Sequence, residues 1–453
     1  MATTTREGRR WWSVLVAGAC CALVALVAGC SAGVPAAGPP APAGTAQQAP
    51  DGMNAGEPGA GEPGALSNTA GESPADKALQ LEALLGQHSV LAADLMRGRI
   101  RNDDDFGQAA NAAVTRNTDD LATMVGSLFG DQAATAFRGL WTDHVTALFN
   151  YSRGLATNDA AVRDDAKAQL VTFENGLADF FSSASQGRLP RAAARDAVQA
   201  HVDHLTQQAD AYAAKDYARA DALYREGYAH TFDIGHTLAA TLLPPDQAGA
   251  LEQPTWRLRS ALDRLLGEHV ALAVGALRAG GTNSPDFPAA ADALNGNTSD
   301  LSAAMGTLFG AQAGQQFMTL WADHVDQLVA YTAGVAANDP ARKDAAMANL
   351  RDFEGRLAAF LDTATGSTVH SADLAKAFLA HDEMLTQQVD TFAGRDYPRA
   401  HDLAYATYQD MFGLSGKLAD AFGETVAARL PKGGARTGAG GTAGAAGAVP
   451  GSR

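Results

Sequence analysis

The chain is short of cysteine: 453 residues hold only Cys20, Cys21 and Cys30. Everything after residue 30 therefore lacks a disulfide framework, a thiolate metal site or a cysteine nucleophile. Positive charge is scarce too, with 34 Lys and Arg against 50 Asp and Glu and a net charge of −16. Residues 1–29 carry Arg6, Arg9 and Arg10 against Glu7, so the remainder stands at −18. Such a polyanion repels phosphate backbones, and no basic run with interleaved aromatics interrupts it, which argues against nucleic acid as a partner. Catalytic signatures are missing as well. There is no His-Glu-x-x-His, no Gly-x-Ser-x-Gly and no paired Glu-x-x-His of di-iron bundles, and Gly413-Leu414-Ser415-Gly416-Lys417 lacks the spacing and hydroxyl of a P-loop. The expectation is a protein that is not an enzyme. What is present, a 46 % hydrophobic content, suffices for ordinary cores.

The first 29 residues start positive, run apolar through 14–18 and 20–27, and end on small residues. This is the grammar of a signal peptide. The alternative, an uncleaved anchor, needs ~20 apolar residues in one run, more than are found. Val27-Ala28-Gly29-Cys30 resembles the lipobox of bacterial lipoproteins, and the resemblance implies that Cys30 is acylated and residues 1–29 are removed. Several acyl chains on one residue anchor stably where one is marginal. Arg9-Arg10 with Trp12 resembles a twin-arginine export signal, although ordinary charge in this region explains it too. The expected location is extracytoplasmic, lipid-anchored to the bacterial cell membrane. Residues 30–75 read as the lipidated Cys and a disordered tether rich in Ala, Gly and Pro, with Gly56-Glu57-Pro58-Gly59-Ala60 repeated at once as Gly61-Glu62-Pro63-Gly64-Ala65. Residues 432–453 form a second low-complexity tail.

Between tether and tail the chain repeats itself. Leu140-Trp141-Thr142-Asp143-His144-Val145 returns 180 residues later as Leu320-Trp321-Ala322-Asp323-His324-Val325, and Leu205-Thr206-Gln207-Gln208 returns as Leu385-Thr386-Gln387-Gln388. A finer period runs inside each copy: His88, His144 and His201 are 56 and 57 apart, and His269, His324 and His381 are 55 and 57 apart. Each His lies in a helical pattern and an Asp near a turn follows each of the first three (Asp104, Asp159, Asp216). Apolar positions such as Leu140, Val145, Leu148 and Tyr151 recur mostly at three- and four-residue steps, and no segment alternates as a strand does. The expectation is an all-α protein of two tandem helical-bundle domains, 76–247 and 252–431, each of three hairpins and about six helices.

Chemistry, if any, is expected in the third hairpin of each copy. With a turn between Lys215 and Asp216, His201 and His230 lie equally far from it on facing helices, and His204 shares the face of His201. Three imidazoles at His201, His204 and His230 suit Zn(II) or copper. The second copy offers His381, Met384 and Met411, a softer set suited to Cu(I), with Asp410 and His401 nearby. The competing reading makes every His a packing device, with Asn117 opposite His88 and aromatics, Phe173 and Phe353, opposite His144 and His324. Trp141 and Trp321 read as core anchors.

The Leu-Trp-x-Asp-His-Val hairpin, with copies closing on Leu243-Pro244 and Leu430-Pro431, resembles poorly characterised exported helical domains of bacteria, some of them beside copper-amine-oxidase N-terminal-like modules. The resemblance covers both copies, implies no catalytic residue and adds a little weight to copper. The function expected is therefore a membrane-anchored envelope lipoprotein acting as a non-enzymatic binding or scaffold module for an envelope protein or small ligand. The alternative is copper or zinc binding through the third-hairpin His and Met layer.

Overall fold

Aspartates start the helices. Asp103, Asp159, Asp216 and Asp339 each accept a backbone N–H three residues on, and Ser73 shares a reciprocal capping box with Asp76. The residue ahead of each of these aspartates turns through left-handed space: Asn102, Asn158, Lys215 and Asn338 have φ of 55°, 53°, 62° and 51°. One helix thus stops and the next begins within a few residues, which makes tight hairpins.

The computed structural model describes residues 73–367 and 371–429. The signal segment, Cys30, the tether and the tail lie outside them. Among the described residues every regular element is helical, and no helix is long and apolar enough to cross a membrane. The first copy supplies α1 (Pro74–Ile100), α2 (Asp104–Phe129), α3 (Asp131–Ala156), α4 (Ala160–Ala184), α5 (Arg191–Ala213) and α6 (Tyr217–Leu242). A single helical turn, Pro245–Ala248, and a 3-10 turn, Gly249–Glu252, lead into the second copy: α7 (Pro254–Gly281), α8 (Phe287–Phe309), α9 (Ala311–Ala336), α10 (Pro340–Thr365), α11 (Ser371–Ala393) and α12 (Tyr397–Arg429). The all-α fold with six long helices per copy is as the sequence predicts.

Each copy closes into a ring, because α6 returns to pack along α1 and α12 along α7. Inside the ring the first helices of the three hairpins touch one another, α1 with α3 and α5 in one half and α7 with α9 and α11 in the other. The second helices cover the gaps between them. Every hairpin therefore turns the same face of its first helix towards a common centre, and that is where the periodic histidines fall.

Each half has its own apolar core, but the two cores exchange side chains, and all the described helices belong to one compact unit. Helix α1 packs on α7, α2 on α12 and α6 on α8, an exchange that a twofold rotation would reproduce. Tyr228 and Tyr408, 180 residues apart, meet hydroxyl to hydroxyl at 2.9 Å. Their rings lie over Gly86 and Gly267, where an added Cβ would stand 2.7 Å from the Tyr408 hydroxyl and 2.5 Å from the Tyr228 hydroxyl. Ala83, Tyr228 and Phe232 join the apolar core of the second half, and Phe392, Tyr397, Ala400 and Tyr405 join that of the first. Ion pairs with one buried member each cross the junction as well: Arg225 donates to Glu268 at 2.9 Å and Arg278 to Asp94 at 2.8 Å.

Candidate metal centre

His88 on α1, His144 on α3 and His201 on α5 meet in the middle of the first ring, with ring centroids 5.5, 5.5 and 5.6 Å apart. His269 on α7, His324 on α9 and His381 on α11 form the matching triangle in the second, at 5.5, 5.9 and 6.2 Å. In each triangle one nitrogen per ring lies within 4.8 Å of the other two. A trigonal ion with bonds of about 2.0 Å needs nitrogens roughly 3.5 Å apart, a spacing that falls inside the 4.8 Å separation within which each set lies.

Aromatic walls hold these rings. Phe173 stacks on His144 at 4.1 Å and Phe353 on His324 at 4.6 Å. Trp141 packs against His88 at 4.7 Å and Trp321 against His269 at 4.9 Å, each tryptophan backed by a stacked phenylalanine, Phe137 or Phe317. The phenylalanines predicted to face His144 and His324 are there, and they fix the tilt of the imidazoles.

Packing alone requires the ring nitrogens to find partners. They do not. Trp141 Nε1 donates to His88 Nδ1 at 3.1 Å, but His88 Nε2, both nitrogens of His144, His201, His269 and His324, and His381 Nε2 are buried without a hydrogen bond. Asn117, expected to satisfy His88, does lie against its ring, and its amide also donates to the Leu84 carbonyl at 3.1 Å. Burial is the main cause that pushes His88 and His269 down to about 3 and His381 to about 4, with His144, His201 and His324 well below the ordinary imidazole value. Neutral imidazoles converging from three helices, with a lone pair free on all but His88, whose Nδ1 accepts from Trp141, are the ligand type that a transition-metal ion binds.

The structure regroups the residues expected to act together. His201 turns inward to His88 and His144, whereas His204 lies one turn away beside His230, centroids 5.4 Å apart and both half-buried. His230 Nε2 is bonded to the Ala197 carbonyl at 3.1 Å. In the second half His381 joins His269 and His324, Met384 is half-buried, Met411 is buried in the apolar core and Asp410 is exposed. His401 is bonded through Nδ1 to the Tyr397 carbonyl at 2.8 Å, close to Asp94 of the other half. The expected sets His201/His204/His230 and His381/Met384/Met411 are thus not the closest groupings; each contributes one member to a three-helix set. The period of 55 to 57 residues was the available signal for that set.

Sequence reasoning also missed two acids beside the second triangle. Asp382, fully buried, has both carboxylate oxygens without a partner, and its Oδ1 lies 3.5 Å from His324 Nδ1. Glu354, also buried, is pushed up to about 7 mainly by burial. Comparison of the chain with known protein families, curated proteins and solved structures yields no match.

Proposed function

We propose that this chain is an exported envelope protein, anchored through lipid on Cys30, whose two bundles each hold one transition-metal ion, copper or zinc, between three histidines. The observation that carries the metal reading is the convergence of three buried imidazoles, most of whose nitrogens have no hydrogen-bond partner. Leaving a buried polar group unpaired costs about 1–3 kcal/mol, and a bound ion repays that cost at several rings together. The ligands come from the packed interior of three helices and are walled by Phe and Trp, an arrangement that suits holding an ion rather than turning over a substrate. A tethered module of this kind would store or carry metal at the membrane surface.

Full chain purified without a His tag and exposed to Cu(I), Cu(II) or Zn(II) should retain about two ions per molecule, one per triangle. His144→Leu or His324→Leu should remove one of them. Copper should also quench the fluorescence of Trp141 and Trp321, which pack on ligand rings at 4.7 and 4.9 Å. No stoichiometric metal with any of the three ions would leave packing as the role of the histidines. The anchor is tested separately: Cys30→Ala should free the protein from membranes or stall its precursor, and unchanged membrane association would refute lipidation.

A further inference from the structure

The two triangles share their ligands but not their surroundings. Position 202, next to His201, is Val; the equivalent position beside His381 is Asp382. Both side chains are buried, so the exchange puts an acid where the first half has a methyl pair. Asp382 touches no cation and accepts no hydrogen bond, and only His324 Nδ1, at 3.5 Å, lies in ion-pairing reach. The neighbouring glutamates diverge in the same sense. Glu174 in the first half is faced by Arg195 at 3.9 Å, whereas Glu354 in the second has an unpartnered oxygen and Ala375 where the arginine would be. The acid of the first half, Glu174, is thus faced by an arginine, whereas the second half adds Asp382, which no cation faces.

Resting on the metal reading above, we propose that the two centres select different ions: His88, His144 and His201 take Cu(I), and His269, His324 and His381, backed by Asp382, take a divalent ion of the Zn(II) class. The reason is charge. Three neutral imidazoles in a dry interior leave the whole charge of the ion uncompensated, and uncompensated buried charge is costly. A monocation suffers least, and Cu(I) accepts three-coordinate imidazole readily. A carboxylate behind a ligating ring offsets one charge of a dication and fixes the ring's tautomer by accepting its second N–H, the carboxylate–histidine–metal arrangement. Asp382 is thus a positioning residue acting through His324.

The test uses the full chain with one centre silenced at a time and reads affinity by chelator competition for Zn(II) and for Cu(I). With the first centre silenced by His144→Leu, Asp382→Asn should weaken Zn(II) by roughly 10–100-fold, the usual cost of losing an outer-shell partner, with little change for Cu(I). With the second silenced by His324→Leu, Val202→Asp should strengthen Zn(II) relative to Cu(I). A structural loosening would weaken both ions alike, so it is the ratio that decides. Equal losses for the two ions in Asp382→Asn, or an unchanged ratio in both variants, overturns the selectivity. If both wild-type centres bind with the same preference, this inference fails while the metal reading stands; if neither binds, the metal reading fails first.

Discussion

At the scale of one residue, His144 tests whether polarity at the centre serves stability or something else. It is fully buried, stacked on Phe173, and neither ring nitrogen has a partner. Exchange of an unpaired buried polar side chain for an apolar one of similar size is neutral or stabilising. Metal-free His144→Leu should therefore be as stable as wild type at pH 7.5, or more stable by about 1 kcal/mol, while losing one metal. A loss above ~2 kcal/mol, the range of a disrupted core, would show the ring to be a packing element. The pH dependence sharpens this. Folded His144 stays neutral far below 6.5, mainly because it is buried. Above the unfolded value of ~6.5 neither state is protonated there and pH has no effect through this group. Below it the unfolded wild type takes up a proton that the fold refuses, so wild-type stability is lost through this group as pH falls. His144→Leu lacks that loss, and its advantage should grow by about 1.4 kcal/mol per pH unit on going down from 6. The difference between the two proteins is the quantity to measure, since Asp263 and Glu354, each raised to about 7, slope the opposite way in both. Denaturant midpoints at pH 7.5, 6 and 5 give it; a constant difference would mean that the ring protonates in place.

At the scale of the helix, the sequence was informative where the physics is local. Asp at the N-cap preceded by a residue able to turn left-handed is visible as Asn158-Asp159 or Asn338-Asp339, and the helices do start there. Lys215 is the exception that yields a prediction: it holds φ 62° without the amide that eases Asn into that region. Lys215→Asn should raise stability by about 0.5–1 kcal/mol, seen as a higher melting temperature; no gain would mean that the turn is already relaxed. Which helices lie innermost was not legible, because that follows from ring closure between segments more than a hundred residues apart. His201 and His204 share a face on any helical wheel, yet a 60° difference in direction and about 4.5 Å of rise put one at the centre beside α1 and the other against α6. Pairing within a hairpin grouped His201 with His230. Closure of three hairpins grouped it with His88 and His144. Asp382 was illegible for a simpler reason: next to His381 and before Glu383, it reads as one more surface charge until the packing buries it.

At the scale of the molecule, duplication of a ring-shaped bundle has produced a pair that behaves like a dimer in one chain. The repeat suggested two tandem domains, but the junction gives each half groups that it cannot satisfy by itself. Arg278 is buried and its carboxylate partner, Asp94, belongs to the other half, as Glu268 belongs opposite Arg225. Truncating either partner of such a pair leaves a charge without compensation. Residues 73–253 and 254–431 expressed separately should therefore be helical but prone to self-association through the face around Tyr228 or Tyr408, and should recombine one to one when mixed. Two stable, monodisperse monomers in sedimentation at micromolar concentration would show that the halves are independent. The tyrosine pair tells whether the junction is specific. Tyr408 donates to the Ala83 carbonyl at 3.2 Å, which leaves Tyr228 to donate to Tyr408. Loss of the Tyr408 hydroxyl strands the wholly buried Tyr228 donor, whereas loss of the Tyr228 hydroxyl leaves Tyr408 bonded to Ala83. Tyr408→Phe should accordingly cost about 1–3 kcal/mol and Tyr228→Phe about 0.5–1.5, with the double variant less destabilised than the two single costs together. Equal and additive losses would mean that the hydroxyls do not act as a pair, and that the halves are held by apolar contact alone.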